Sequence, residues 1–270
     1  MKRSNRLIVL TNYFIENSRT HTQLPFFVDL CETTKSSISE DLDIIHSVFQ
    51  SQGLGYLERT TGASGGVKYI PTLSQEKIQT FIQKLRTNLE DPDRILPGGY
   101  LYMSDLLGDP QMVRSMGQVF ATAFSELNIE VIVTVATKGI PLAYAVASFL
   151  NVPVVIARRD PVVTEGSSVS INYVSGSSRK IQTMVLAKRS LKDGANVCII
   201  DDFMKAGGTI TGMISLLSEF NANVKAIGVL AEADDEDGRM VDDYTSLIKI
   251  SKVDMIEKQI EIEPGNIRYE

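Results

Sequence analysis

Residues 197–212, VCIIDDFMKAGGTITG, place a short apolar run directly before two acids, a glycine-rich turn and a segment that favours helix. An unbroken apolar run of this length is typical of a strand buried on both faces of a sheet. Glycines let the chain turn sharply and let backbone N–H groups approach a ligand closely. This order of strand, acids, turn and helix predicts an α/β fold whose ligand binds beyond the end of the strand.

Strands and helices alternate through the second half of the chain. Apolar runs predict strands at residues 131–136, 154–158, 197–202 and 224–230. Asp109 and Pro110 form a natural helix start, and apolar spacing predicts further helices at residues 142–150 and 209–220. Alternation of this kind predicts a mostly parallel sheet covered by helices on both faces.

The N-terminal part of the chain follows a different pattern. Apolar positions recur at helical spacing in residues 3–16 and in a second helix that begins near Pro25. Ser37 and Glu40 form a capping-box pattern at the start of a third helix. Residues 55–71 then fit two short strands around a polar turn. Three helices followed by a hairpin predict a winged helix-turn-helix domain.

The chain therefore divides into three segments. Residues 1–74 form the winged helix domain, and residues 75–97 form an amphipathic connecting helix and a linker rich in proline and glycine. Residues 98–270 form the larger α/β domain.

A winged helix places its third helix in the major groove and its hairpin along the DNA backbone. The residues suited to contact phosphates lie at the front of the third helix, on the hairpin and on the N-terminal arm: Lys35, Ser36 and Ser37; Arg59 and Lys68; Lys2, Arg3 and Arg6. Glu40, Asp41 and Asp43 on the third helix would instead repel phosphate. A packing or dimerisation module is therefore the alternative to DNA binding.

Charge and cysteine content narrow the class of protein. The formal net charge is −6, and the segment from Met1 to Gln75 is neutral, with as many Lys and Arg as Asp and Glu, so bulk charge does not indicate nucleic-acid binding. Only Cys31 and Cys198 are present, which predicts neither disulfides nor a metal cluster. No secretion signal is recognised, and prolines divide the uncharged residues 139–157 into helix and strand. We expect a cytoplasmic protein with no membrane partner.

The glycine-rich turn is suited to a phosphate monoester. Its backbone N–H groups and the start of the next helix favour an anion at residues 206–209. Asp201 and Asp202 would repel that anion, so we expect them to face ribose hydroxyls, or Mg²⁺ shared with them. This combination predicts a ribose 5-phosphate unit.

A second loop, ATKGIP at residues 136–141, follows another buried strand and offers Thr137, Lys138 and Gly139 for a second phosphate group. An ordinary turn with a solvated lysine is the alternative for this loop alone. Arg158 and Arg159 at the end of the next strand favour the binding site, because three cations then converge on one rim.

These motifs carry a resemblance. VCIIDDFMKAGGT resembles the phosphoribosyl-pyrophosphate (PRPP) motif of type I phosphoribosyltransferases, ATKGIP resembles their pyrophosphate loop, and residues 163–184 resemble their mobile hood. The whole chain, with its winged helix, is similar to the purine operon repressors of Gram-positive bacteria. The resemblance implies a homodimeric repressor that binds operator DNA and is released by PRPP, which binds with Mg²⁺, and it implies no enzyme activity. It assigns PRPP to Thr137, Lys138, Gly139, Asp201, Asp202, Ala206, Gly207, Gly208 and Thr209. We add the cations Arg158, Arg159 and Lys205 to the expected PRPP site.

Two other functions stay open. Lys205 stands where some active relatives have an aspartate that acts on the purine, and a lysine cannot accept that hydrogen bond. The hood offers Tyr173, Arg179 and Lys180 but no clear base-binding aromatic. We assign no catalytic residues and no metal site made by the protein alone. A functional purine phosphoribosyltransferase with an accessory domain, and a PRPP-binding protein without DNA affinity, are the alternatives.

Overall fold

The computed structural model describes residues 1–62, 65–160, 166–174, 181–233 and 238–268. Within these ranges, no helix combines the length and apolar character that a membrane span requires.

The N-terminal segment is a winged helix, as predicted. Helices α1 (Arg3–Glu16), α2 (Leu24–Cys31) and α3 (Lys35–Ser51) are followed by the hairpin β2 (Tyr56–Thr60) and β3 (Gly66–Ile70). A short strand β1 (Thr22–Gln23) pairs with β3, so the antiparallel sheet has the order β1-β3-β2. Apolar faces of the three helices and the hairpin form one core, which includes Leu10, Phe14, Phe27, Ile38 and Leu42.

The start of α3 differs from the predicted capping box. Thr34, not Ser37, is the N-cap residue, and its side chain accepts the backbone N–H of Ser37 at 3.3 Å. The predicted pattern is wrong by one turn, because Lys35 and Ser36 are already helical. The helix therefore presents Lys35 and Ser36 in its first turn, both exposed.

A fully buried carboxylate ties α3 to α1. Asp41 accepts the Nε–H of Arg3 at 3.0 Å on one oxygen and the Nε–H of Arg6 at 2.7 Å on the other. The Arg6 side chain is 11% exposed, while that of Arg3 is 51% exposed. Asp41 therefore faces the domain interior, where it holds two of the three cations of the N-terminal arm.

The connecting segment packs on the second domain. Helix α4 (Gln75–Leu89) buries Ile78, Ile82, Leu85 and Leu89 in the same core as the α/β elements. A single 3₁₀ turn (Pro92–Arg94) and a small hairpin of β4 (Ile95–Leu96) and β5 (Tyr100–Leu101) follow.

A six-stranded sheet organises the α/β domain. Its strands are β6 (Val131–Val135), β7 (Val154–Ala157), β10 (Asn196–Met204), β11 (Asn223–Ala233), β12 (Thr245–Asp254) and β13 (Gln259–Pro264). Their order is β13-β12-β11-β10-β6-β7, and only the β12–β13 pair is antiparallel. The predicted α/β class with a mostly parallel sheet is therefore confirmed.

Both faces of the sheet are covered. Helices α5 (Ser104–Gly108), α6 (Pro110–Ala123) and α7 (Ile140–Leu150) join α4 in one core. The other core combines α8 (Gly208–Ser218) with the hairpin β8 (Ser168–Val174) and β9 (Ile181–Ala187). Sequence analysis predicted neither this hairpin nor β12 and β13, although apolar residues alternate along β8 and β13 as strands require.

The two domains meet at the turn between α1 and β1. Arg19 donates from Nη1 to the Ser125 carbonyl oxygen at 3.1 Å, just beyond the end of α6. Asn151, at the end of α7, donates from Nδ2 to the Thr20 hydroxyl at 3.1 Å. The ends of two helices of the α/β domain therefore contact one short turn of the winged helix.

We expect Asp41→Asn to destabilise the winged helix strongly. Removing one partner of a buried ion pair leaves an uncompensated buried charge, here on Arg6, and costs about 3–5 kcal/mol. Scanning calorimetry of the full chain would measure the loss. The matched control is Asp43→Asn on the same helix, whose exposed pair with Arg59 should be worth about 1 kcal/mol or less. Equal effects of the two substitutions would contradict this role for Asp41.

Candidate functional site

A cleft of about 730 Å³ lies where β6, β7 and β10 end. Parallel neighbours bring their carboxyl ends to one edge of a sheet, and this edge is where such folds bind ligands. The cleft is lined by Val135, Ala136, Thr137, Lys138, Arg158, Arg159, Asp160, Tyr173, Asp201, Asp202, Phe203 and Thr209. The structure therefore brings together seven of the twelve residues predicted to bind PRPP.

The predicted phosphate loop forms a smaller hollow of about 60 Å³ between β10 and α8. The hollow is lined by Phe203, Met204, Lys205, Ala206, Gly207, Gly208, Thr209 and Ile210. Gly207 is the N-cap of α8 with a φ of 86°, a left-handed conformation that favours glycine. The loop thus directs the start of α8 at the hollow, an arrangement suited to an anion.

Asp201 is buried in the second half of β10, with 4% of its surface exposed. Burial, and then the neighbouring charge of Asp202, raise the pKa of this carboxyl well above its ordinary value. One oxygen accepts the backbone N–H of Asp202 at 2.9 Å. Burial also raises the pKa of Asp202, although a side-chain hydrogen bond with Asp201 and the charge of Lys138 act to lower it. Two carboxyls destabilised in their charged forms are typical of a functional site.

The second predicted loop packs directly against this pair. A Cβ added to Gly139 would lie 2.5 Å from the Thr134 hydroxyl oxygen and 3.3 Å from an Asp201 carboxylate oxygen. Only glycine fits this approach, and α7 begins at the next residue. The peptide bond between Ala136 and Thr137 is cis. Thr137 and Lys138 are exposed beside the cleft.

Arg158 and Arg159 follow the end of β7 on the cleft wall. Arg158 pairs with Val185 of β9 through two backbone hydrogen bonds of 3.0 and 2.7 Å. The end of β7 is thereby joined to the hairpin that crosses the other face of the sheet.

The predicted hood is in part the hairpin of β8 and β9. Tyr173 lies over α8, where a Cβ on Gly212 would come within 2.8 Å of its ring, and its hydroxyl donates to Gln182 Oε1 at 2.9 Å. Tyr173 also lines the cleft. Arg179 and Lys180, as well as residues 163–165 and 175–178, lie outside the described residues.

Sequence analysis missed Phe203 and Asp160 in the cleft wall. Phe203 is 36% exposed although it follows a run of buried residues in β10. Its signal was the alternation of strand side chains, which continues past the two acids because β10 extends to Met204 rather than ending at Asp202.

The donor set fits a magnesium ion that arrives with a diphosphate. Among the described residues, no group of three or more His, Cys, Asp and Glu side chains could hold a metal. Mg²⁺ is usually bound by one or two carboxylates together with water and substrate phosphates. Asp201 and Asp202 meet the protein's share of that requirement.

The candidate DNA surface carries paired cations. Arg59 lies 2.8 Å from Asp43, and Lys68 lies 2.7 Å from Glu58. Lys2 is exposed ahead of α1. Ser37 is partly buried behind the exposed Lys35 and Ser36.

Of the three acids expected to repel phosphate, Asp41 faces inward, while Glu40 and Asp43 are exposed beside Arg3 and Arg59. Because Arg6 is largely buried against Asp41, it has less reach toward DNA than Arg3.

Two parts of the chain match known family models. Residues 2–71 match the family model of the bacterial purine repressor N-terminal domain, and residues 104–264 match that of the phosphoribosyl transferase domain. The adenine phosphoribosyltransferase structure of Thermoanaerobacter pseudethanolicus is 22% identical, with a TM-score of 0.53. It covers 62% of this chain and 99% of that one, and it shows the fold alone.

Full-length relatives are regulators by name. The purine biosynthesis transcriptional repressor of Bacillus subtilis is 59% identical over 98% of this chain and 93% of its own. The purine biosynthesis transcriptional activator of Lactococcus lactis strain IL1403 is 44% identical over 99% of this chain and 98% of its own. A winged helix joined to a phosphoribosyltransferase fold, together with identity of this extent, places the chain in the family of bacterial purine repressors.

Proposed function

We propose that this protein represses purine biosynthesis genes by binding operator DNA as a homodimer in the cytoplasm, and that PRPP with Mg²⁺ relieves the repression. The observation that carries the proposal is the Asp201 and Asp202 pair beside the phosphate loop, in a domain joined to a winged helix. The Bacillus subtilis relative is named a repressor, which supports repression. The Lactococcus lactis relative is named an activator, so activation of the same genes is the alternative outcome.

PRPP matches the chemistry of each part of the cleft. The loop 206–209 would bind the 5′-phosphate through backbone N–H groups, and Thr137, Lys138 and Gly139 would bind the pyrophosphate. Asp201 and Asp202 would accept hydrogen bonds from the ribose hydroxyls. Arg158, Arg159 and Lys205 would add positive charge at the rim.

A sensor needs this binding but no turnover. Lys205 cannot accept a hydrogen bond from a purine, and the full-length relatives are named as regulators, so we propose binding without catalysis. An assay for pyrophosphate release from PRPP and a purine base tests the alternative. Measurable turnover would favour a transferase, while loss of operator binding on addition of PRPP would favour the repressor.

Relief by PRPP requires coupling between the two domains, and a tenfold effect needs about 1.4 kcal/mol. One route is competition, in which PRPP neutralises a cationic rim of Lys138, Arg158 and Arg159 that also attracts DNA phosphates. A second route is mechanical. α7 begins at the pyrophosphate loop and ends at Asn151, which contacts the α1–β1 turn through Thr20.

We expect Asp201→Asn combined with Asp202→Asn to abolish relief by PRPP and to leave operator binding intact. Burial raises the pKa of both aspartates in the folded chain, so their charged forms destabilise the fold at any pH above the pKa they have in the unfolded chain. The melting temperature of the variant at neutral pH should therefore be at least that of the wild type. Gel-shift titration and calorimetry with Mg²⁺ and PRPP measure the two effects. Asp193→Asn, just before the other end of β10, is the control. If PRPP still relieves operator binding to the same extent in the double variant, Asp201 and Asp202 do not bind PRPP as proposed.

We expect Arg59→Gln and Lys68→Gln to weaken operator binding and to flatten its salt dependence. Each phosphate contact contributes a slope of about −0.9 to log K against log salt concentration. Fluorescence anisotropy at several salt concentrations measures the slope. The control is Lys225→Gln at the start of β11, in the other domain. An unchanged slope for the two variants would show that the β2–β3 hairpin does not contact DNA phosphates.

We expect Arg19→Ala to reduce the factor by which PRPP weakens operator binding, because it removes the contact to the end of α6. Within the described part of the chain, Nε and Nη2 of Arg19 are buried without a hydrogen-bond partner. Their desolvation cost offsets part of the free energy gained from the hydrogen bond to Ser125. Gel shifts with and without PRPP measure the factor, and Lys84→Ala on α4 is the control. If Arg19→Ala leaves this factor as it is in the wild type, and if the factor decreases steeply as the salt concentration rises, the competition route is favoured instead.

A further inference from the structure

A buried carboxylate lies at the end of β11, next to the strand that carries the acid pair. Glu232 is 4% exposed and is in register with Met204 of β10. Its Oε2 accepts hydrogen bonds from the Arg239 guanidinium and from the Tyr244 hydroxyl at 2.5 Å, and its Oε1 accepts the Ser246 hydroxyl at 2.6 Å. Both oxygens of this carboxylate are therefore hydrogen-bonded within the fold.

The same network restrains Arg239. Besides Glu232, its guanidinium donates from Nη2 to the Ala233 carbonyl oxygen at 3.3 Å. It also lies over the Tyr244 ring, 5.2 Å from the centroid. A planar cation held by a buried carboxylate, a carbonyl and an aromatic face has little freedom to move. The Arg239 side chain is consequently held between β11 and the start of β12.

The two residues directly after Arg239 contact the phosphate loop at Ala206 and Gly207. The Met240 backbone N–H donates to the Ala206 carbonyl oxygen at 2.9 Å. The buried Val241 side chain lies so close to Gly207 that a Cβ there would be 3.1 Å from Val241 Cγ2. The first two residues of the loop thus depend on segment 240–241 for their support.

We infer that Glu232 and Arg239 are positioning residues for the phosphate loop, which they hold through Met240 and Val241 in the conformation that binds a pentose phosphate. The inference rests on the proposed function. A glycine-rich loop loses more conformational entropy than other segments when it becomes ordered around a ligand. A brace that orders the loop beforehand reduces the cost of binding.

The test is Glu232→Gln, measured by titration calorimetry with two separate ligands. Ribose 5-phosphate would probe the braced loop, and pyrophosphate would probe residues 136–139, which follow a different strand. We expect the affinity for ribose 5-phosphate to fall about tenfold, or about 1.4 kcal/mol, while that for pyrophosphate stays unchanged. Glu263→Gln, at an exposed position on β13, is the matched control and should change neither affinity.

A second variant covers the case in which Glu232→Gln does not fold. Val241→Ala keeps the Glu232 network and shortens the core side chain that contacts Gly207, so it should weaken ribose 5-phosphate binding more than pyrophosphate binding. Hydrogen exchange at the Gly207 and Gly208 amides should become faster in both variants.

Three outcomes are informative against the inference. An equal loss of affinity for both ligands would indicate general damage to the domain. Unchanged affinity for ribose 5-phosphate would show that Glu232 does not position the phosphate loop. A wild-type protein that binds neither ligand would overturn the proposed function and, with it, this inference.

Discussion

The site depends on the burial of Asp201 in the second half of β10, against the backbone of the loop that follows the neighbouring strand β6. A carboxylate in such a place is unstable in its charged form unless something supplies hydrogen-bond donors or positive charge. Gly139 makes the close approach possible because it has no side chain to displace the carboxylate. A ligand that supplies hydroxyl donors to this pair, as proposed for PRPP, would stabilise the charged carboxylates.

Parallel strand order explains why two loops meet at this cleft. β10 and β6 are adjacent in the sheet although β7, β8 and β9 lie between them in the chain, and both end at the same edge. The loop at residues 206–209 follows β10, and the loop at residues 136–139 follows β6. Because the two strands are parallel, both loops lie at the carboxyl ends of their strands.

Paired charges govern the winged helix in a comparable way. Arg3, Arg59 and Lys68 each lie beside a carboxylate of the same domain. If these residues bind DNA as proposed, each exchanges a carboxylate partner for a phosphate, which makes the net free energy of the contact less favourable than that of an unpaired cation. The acidic character of α3 is partly structural, because Asp41 stabilises the packing of α3 on α1.

The sequence alone determined the local chemistry. Strand, acid pair, glycine turn and helix start follow one another between Val197 and Gly212, so their proximity needs no long-range contact. The apolar faces of the helices and the winged helix with its hairpin were also predictable, because burial imposes the helical and the strand periodicity on the chain.

Tertiary structure alone decided which charges are partners. Nothing in local spacing indicates that Asp41 accepts from Arg3 and Arg6, or that Glu232 accepts from Arg239, Tyr244 and Ser246. Periodicity reports which face of an element is buried, whereas the partner of a buried charge depends on which elements pack together. That packing is settled by the summed free energy of the whole core, and short stretches of sequence do not encode it.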